Sequence, residues 1–161
     1  MKKYALLVAL LVATPVFAQD EFLIDAGLGA FSTIGDTLAQ VKFGKIGLQE
    51  DLWYALKQRF NVGGWLDARD GMANSGFAGY QLGFVVQNDI YEMSIFSGPS
   101  VITSPDTSLG GRFQFNETVF FGIKDKLGNS IGAAYNHFSS AGIEMPNLGK
   151  DFLCLEIKFP F

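Results

Sequence analysis

A single cysteine, Cys154, excludes an intramolecular disulfide, so the fold must hold together without covalent cross-links even in an oxidising compartment. A single histidine, His137, with no Cys/His cluster beside it, leaves no metal-ligand pattern, and no metal is expected. Basic runs are also missing. The net charge is −4, and nothing in the chain suits a nucleic-acid partner. Beyond the first 18 residues, no apolar stretch reaches the roughly 18 residues that a membrane helix needs. Helical periodicity is scarce. What the chain has instead is phenylalanine, 16 of them, and glycine, 19, in short segments that alternate polar with apolar.

The N-terminus reads as a secretory signal peptide. Lys2 and Lys3 give a positive start, Tyr4 to Val12 form an apolar run too short to span a bilayer, and Val16-Phe17-Ala18 offers small residues for cleavage after Ala18. The mature chain is then a single domain over 19–161. Loss of the two lysines leaves 10 basic against 16 acidic side chains, a net charge of −6.

Eight segments have strand character, at 21–32, 37–46, 51–66, 75–87, 90–100, 109–124, 128–139 and 150–161. The last is the clearest. Leu153, Leu155, Ile157, Phe159 and Phe161 share one face, while Phe152, Cys154, Glu156, Lys158 and Pro160 share the other, because successive strand side chains point to opposite faces. Segment six agrees, with Phe113, Phe115, Val119 and Phe121 against Arg112, Gln114, Asn116 and Thr118. Glu117 alone breaks its outer row. Polar-in, apolar-out alternation over an even number of strands predicts an all-β fold: an eight-stranded antiparallel transmembrane β-barrel, an up-and-down meander in the bacterial outer membrane.

With both termini on the periplasmic side, the outer connections fall near Ser32–Asp36, Asp67–Ser75, Pro99–Ser108 and Ser140–Lys150. The periplasmic turns fall at Gly47–Glu50, Gln87–Asp89 and Asp125–Gly128. A barrel of this size fills its interior with its own side chains, which excludes a diffusion pore. Trp53 and Trp65 are expected in interfacial aromatic girdles. Cys154 should point inward as a small packed side chain. Asp67, Asp70 and Asn74 read as hydrated turn residues rather than a cation site, since they lack regular ligand spacing.

The chemistry gathers near the C-terminus. His137 and Ser139 are two apart on segment seven and share an outward face with Tyr135, Ala133 and Ile131. Asp151 has the outward parity of Leu153 and Leu155 on segment eight. Sequential strands pair as a hairpin, so the three side chains can meet on the lipid-facing wall at the level of the outer leaflet. A serine becomes a nucleophile when a base takes its proton, histidine is that base, and a carboxylate fixes its tautomer. Taken singly, His-x-Ser and a strand-start aspartate are ordinary interfacial and turn residues. Polar side chains on a lipid face are costly, which favours function for the three together. Glu144 is a rival acid, placed in the connecting loop.

The run His137-Phe138-Ser139-Ser140-Ala141-Gly142, then Pro146-Asn147, then Asp151, resembles the lipid A 3-O-deacylases of the PagL family. That family has His-aromatic-Ser-Asn-Ala-Gly, then Pro-Asn, then an acid at the start of the final strand. The resemblance implies an outer-membrane esterase acting on lipid A of lipopolysaccharide without a cofactor, removing the 3-hydroxyacyl chain from position 3. It makes His137 the general base, Ser139 the nucleophile and Asp151 the triad acid. Two positions depart from the pattern. Asp151 stands where the family often has the longer glutamate, and Ser140 stands where it has asparagine. Oxyanion stabilisation would then lean on backbone N–H groups near Gly142 and on the Asn147 side chain. The alternative from another class is a non-enzymatic barrel, an adhesin or structural anchor, in which His137 and Ser139 are dispensable. The esterase needs His137 and Ser139 within hydrogen-bond reach on the outer wall with Asp151 behind His137, and His137 turned into the barrel would favour the alternative.

Overall fold

Alternation along each strand decides which side chains meet inside the sheet and which face outward, and the sheet that results closes on itself. In the computed structural model, which describes residues 20–30, 41–68 and 73–161, eight antiparallel strands follow one another in chain order. They are β1 (Glu21–Ala30), β2 (Val41–Trp53), β3 (Leu56–Asp67), β4 (Ser75–Gln87), β5 (Tyr91–Ile102), β6 (Phe113–Lys124), β7 (Ser130–Ser139) and β8 (Lys150–Pro160). Pairing of β1 with β8, for example Ile24 opposite Ile157, completes the barrel and leaves no open edge. The expected signal peptide, Ser32–Asp36 and Asp70 lie outside the described residues.

The outward rows are apolar. Ile46, Leu48, Val62, Phe84, Ile95, Val119, Phe121, Leu153 and Leu155 are all exposed, which only a lipid surround makes favourable. The interior has two layers. Its lower part is a buried charge lattice. Lys45 Nζ lies 2.8 Å from Asp25 Oδ2, and Glu156 is shared by Arg59 at 3.4 Å, Lys158 at 3.4 Å and Lys45 at 4.0 Å. Lys158 also pairs with Glu92, and the Arg59 guanidinium sits 4.0 Å over the Phe96 ring. Charges taken from water persist only when paired and hydrogen-bonded in this way. Nearer the outer end, Phe43, Trp65, Phe77, Phe138 and Phe152 stack into an aromatic plug, with Phe43 and Phe152 centroids 4.4 Å apart. The interior is filled, as expected for eight strands.

Three details differ from the sequence expectation. The first periplasmic turn is at Tyr54 and Ala55, not Gly47–Glu50, because β2 runs on to Trp53. Gln49 and Asp51 resemble turn residues but point at the charge lattice, where Gln49 accepts from Arg59 Nη2 at 2.7 Å and Asp51 pairs with Lys57 at 2.9 Å. Gly47 faces inward at a close approach, since a Cβ there would stand 2.6 Å from Asn61 Oδ1. Trp65 is not a girdle residue. It is 1 % exposed inside the plug and donates its indole N–H to Ala73 O at 3.1 Å, whereas Trp53 is 64 % exposed at the periplasmic end. Asp67 serves neither as a hydrated turn residue nor in a cation site, because Lys150 Nζ holds it at 3.0 Å.

Lys150 ties the outer ends together. It reaches Asp67 after β3 and, at 2.5 Å, Asp106 in the β5–β6 connection, while standing over Trp65. Burial pushes the Asp106 carboxyl up, but bonds from Lys150 and Ser108 outweigh it and hold the group below the usual aspartate range. A depressed carboxyl contributes its stability above the unfolded value and loses it as pH falls through the folded value. The β5–β6 loop meets the β7–β8 loop through Leu148 N–H, which donates to Ser108 O at 2.8 Å. These contacts hold the start of β8 still.

Candidate active site

Register sets the site. His137 on β7 lies directly opposite Asp151 on β8, and Glu117 on β6 lies opposite His137 on its other side. Ser97 on β5 continues the row opposite Glu117. One polar level therefore crosses four strands of an otherwise apolar wall. Burial follows the same parity: Asn136 and Phe138 are buried inside, and His137 and Ser139 are half-buried on the outside. His137 does not turn into the barrel.

Structure and sequence agree on the His–acid contact. His137 Nδ1 lies 2.5 Å from Asp151 Oδ1, with side chains 27 % and 14 % exposed. A carboxylate at Nδ1 holds the proton there and leaves Nε2 as the acceptor. The shorter acid at 151 therefore still reaches the imidazole. Glu144, the rival acid, is elsewhere, its carboxyl lying against Gly111 in the β5–β6 loop.

Ser139 sits two positions nearer the outer end on the same face as His137, and its hydroxyl makes no hydrogen bond among the described residues. Among the described residues no hydrogen bond joins it to His137, whose Nδ1 is taken by Asp151. Gly149 follows the paired rows, where Lys150 is opposite Phe138, and a Cβ on Gly149 would stand 2.8 Å from His137 Cε1 and 3.5 Å from Nε2. Its φ of +79° is also one that an L side chain rarely adopts. Gly149→Ala is expected to displace the ring, and with His137 as the base this lowers kcat about a hundredfold, the effect of moving a reacting group by about 1 Å. Steady-state kinetics beside a urea-unfolding curve checks this, and an unchanged kcat in the folded variant contradicts it.

Of the three residues expected to support the oxyanion, Gly142, Asn147 and Ser140, the last two staple the loop between β7 and β8. Ser140 donates its hydroxyl to Glu144 O at 2.8 Å, and Asn147 Oδ1 accepts the Ser140 N–H at 2.7 Å. Ser140 is fully buried. Serine at this position thus orders the loop in its own way, and its N–H is taken. What stays available for a developing negative charge is the N–H of exposed Gly142, at φ +81°, and the Asn147 amide nitrogen.

Two site residues escape sequence reasoning. Tyr135 Oη donates to Asp151 Oδ1 at 2.6 Å, the same oxygen that faces His137. Glu117, noted only as a break in the outer row, is the exposed neighbour of His137. A shallow depression of about 530 Å³ lies on the wall beside the site, lined by Ala26, Gly27, Lys42, Phe43, Leu153 and Leu155. Leu153 is two residues from Asp151 on the same outward face. Among the described residues there is no cluster of His, Cys, Asp and Glu able to hold a metal.

Against known proteins, the family model described as lipid A 3-O-deacylase (PagL) matches residues 39–160. The lipid A deacylase PagL of Bordetella bronchiseptica (strain ATCC BAA-588 / NCTC 13252 / RB50) is 37 % identical over 68 residues. That alignment covers 42 % of this chain and only 36 % of the relative's length. A crystal structure of the outer membrane enzyme PagL superposes with a TM-score of 0.69, covering 88 % of this chain and 99 % of that one. At 19 % identity this last likeness speaks for the fold, a closed eight-stranded barrel in both sequence expectation and structure.

Proposed function

The chain belongs to the lipid A 3-O-deacylase (PagL) family, and from that premise we propose that it is an outer-membrane serine esterase. It removes the ester-linked 3-hydroxyacyl chain at position 3 of lipid A. The observation that carries this reading is the outward-facing contact of His137 Nδ1 with Asp151 Oδ1, at the outer end of the barrel wall, next to Ser139. A lipid of the outer leaflet reaches that wall sideways, without entering the barrel.

In the proposed reaction His137 Nε2 takes the Ser139 proton as Oγ attacks the ester carbonyl. Asp151 keeps the imidazolium oriented and compensates its charge. The tetrahedral oxyanion is met by Gly142 N–H and Asn147 Nδ2, and each such donor is worth on the order of a hundredfold in rate. His137 then returns the proton to the departing sugar hydroxyl, leaving an acyl-serine. A water molecule, deprotonated by His137, releases the 3-hydroxy fatty acid and restores Ser139. No cofactor enters this cycle.

The depression along β8, β1 and β2 suits the acyl chain. Leu153 and Leu155 wall it, and the small Ala26 keeps it open. Ala26→Phe fills the space and is expected to raise KM about tenfold, the equivalent of about two methylene groups left without their contacts. Its kcat should hold. A kcat loss at unchanged KM would place the acyl chain elsewhere.

The reading is tested by incubating the purified, folded barrel with lipid A and quantifying free fatty acids. Ester-linked 3-hydroxy acid from position 3 should appear, and amide-linked chains should stay in place. Absence of any released acid from a folded barrel would sink the esterase.

A further inference from the structure

Asp151 is an unusual acid for this location. It stands on the lipid-facing wall on a short side chain, and His137 is its sole ion-pair partner among the described residues. A carboxylate held at one point can swing about its terminal torsion, and among the described residues no lysine or arginine restrains this one. The structure supplies a second anchor. Tyr135 and His137 are two residues apart on β7, on one face, and their donors converge on the same oxygen at 2.6 Å and 2.5 Å.

The register explains how tyrosine alone can do this. Tyr135 pairs with Leu153, so Asp151 is its diagonal neighbour, one pleat further along β8. Diagonal pairs lie about 7–8 Å apart at Cα, a span that a long aromatic side chain covers and a short polar one does not. A girdle tyrosine would turn its hydroxyl toward water. This hydroxyl is turned sideways, along the wall, onto the carboxylate.

We propose that Tyr135 is a positioning residue for the esterase, clamping Asp151 Oδ1 from one pleat below while His137 meets it from directly across the strand pair, so that an aspartate suffices as the triad acid. The inference rests on the reading of His137, Ser139 and Asp151 given under Proposed function. Tyr135 does not touch substrate. It acts through Asp151, keeping the Nδ1 proton in place and Nε2 free to serve as base. A phenol donating to a carboxylate away from water makes a charge-assisted bond, stronger than a neutral one. Its loss should therefore appear in the chemical step and not in substrate binding.

The test is a double-mutant cycle, two single variants and their combination, assayed as purified barrels on lipid A. Tyr135→Phe should lower kcat about ten- to hundredfold, with KM within about twofold. Asp151→Glu lengthens the acid by one methylene, letting it press against His137 without a second anchor. In that background, adding Tyr135→Phe should cost no more than about threefold. An equal loss in both backgrounds, or a loss carried by KM, overturns the proposal in favour of simple packing. If Asp151→Glu is itself as slow as Asp151→Ala, the kcat-against-KM split of Tyr135→Phe alone decides. Ser139→Ala in the same assay keeps the two levels apart: wild-type activity there would remove the triad reading, whereas a dead Ser139→Ala with an unaffected Tyr135→Phe would remove only the clamp. Urea-unfolding midpoints of all variants exclude misfolded samples from the comparison.

Discussion

Ser139→Ala is expected to lower kcat for ester hydrolysis by about ten-thousandfold to millionfold, with the barrel fully folded. In the proposed mechanism this hydroxyl forms the acyl bond, and water attacking directly would have to do without it. Residues that act as a unit give non-additive losses, so His137→Ala should cost about as much, and the double variant little more than either single one. Folding should not notice. Ser139 is half-buried on the outer wall, and its hydroxyl makes no hydrogen bond among the described residues. Single-turnover kinetics with lipid A checks both statements. A Ser139→Ala variant retaining more than about a tenth of the wild-type rate would assign the nucleophile to another group.

Glu156→Leu should produce the largest loss of stability, about 3–5 kcal/mol, the usual consequence of removing one partner from a buried ion pair. Glu156 is fully buried and lies among Arg59, Lys158 and Lys45. Arg59 and Lys158 have other partners, Gln49 and Glu92, so their heads would stay in place. The charge balance of the lattice would not. Three cations would share fewer carboxylates in a space that water reaches poorly. Equilibrium urea unfolding in detergent reads the change as a lower midpoint. Because Glu156 is an inward residue remote from the outer wall, kcat of the folded fraction should stay within about twofold of wild type. An unshifted midpoint would mean that water or a neighbouring side chain takes over the role of Glu156.

Much of this arrangement is legible in the sequence, and the parts that are not have identifiable reasons. The β8 alternation sends Glu156 and Lys158 inward and Leu153 and Leu155 outward, as the structure has them. The same counting puts His137, Ser139 and Asp151 on the outer wall, because parity and hairpin order are enough to place side chains two apart. Parity loses its contrast where both faces are apolar. Phe138 seems out of place beside polar Asn136 until the aromatic plug is seen, with Phe138 packed edge-on to Phe77. Trp65 is misread for the same reason. The turn at Gly47–Glu50 fails differently: a barrel that buries Gln49 and Asp51 makes strand residues look like turn residues.

The supporting residues of the site were the hardest to foresee. Tyr135 reaches Asp151 along a diagonal, and sequence spacing reports who shares a face, not who reaches across it. Ser140 stands where the family has asparagine, yet its hydroxyl closes the loop onto Glu144 O. Lys150 carried no signal. It emerges as the buried link between Asp67 and Asp106 that holds the start of β8, and with it Asp151, in position.

The most direct test of the central claim is mass spectrometry of lipid A from cells making this protein or its Ser139→Ala variant. Loss of one 3-hydroxyacyl group from position 3 with the wild type, and none with the variant, is the result this account predicts. Unchanged lipid A in both, with the barrel correctly inserted in the outer membrane, would contradict it.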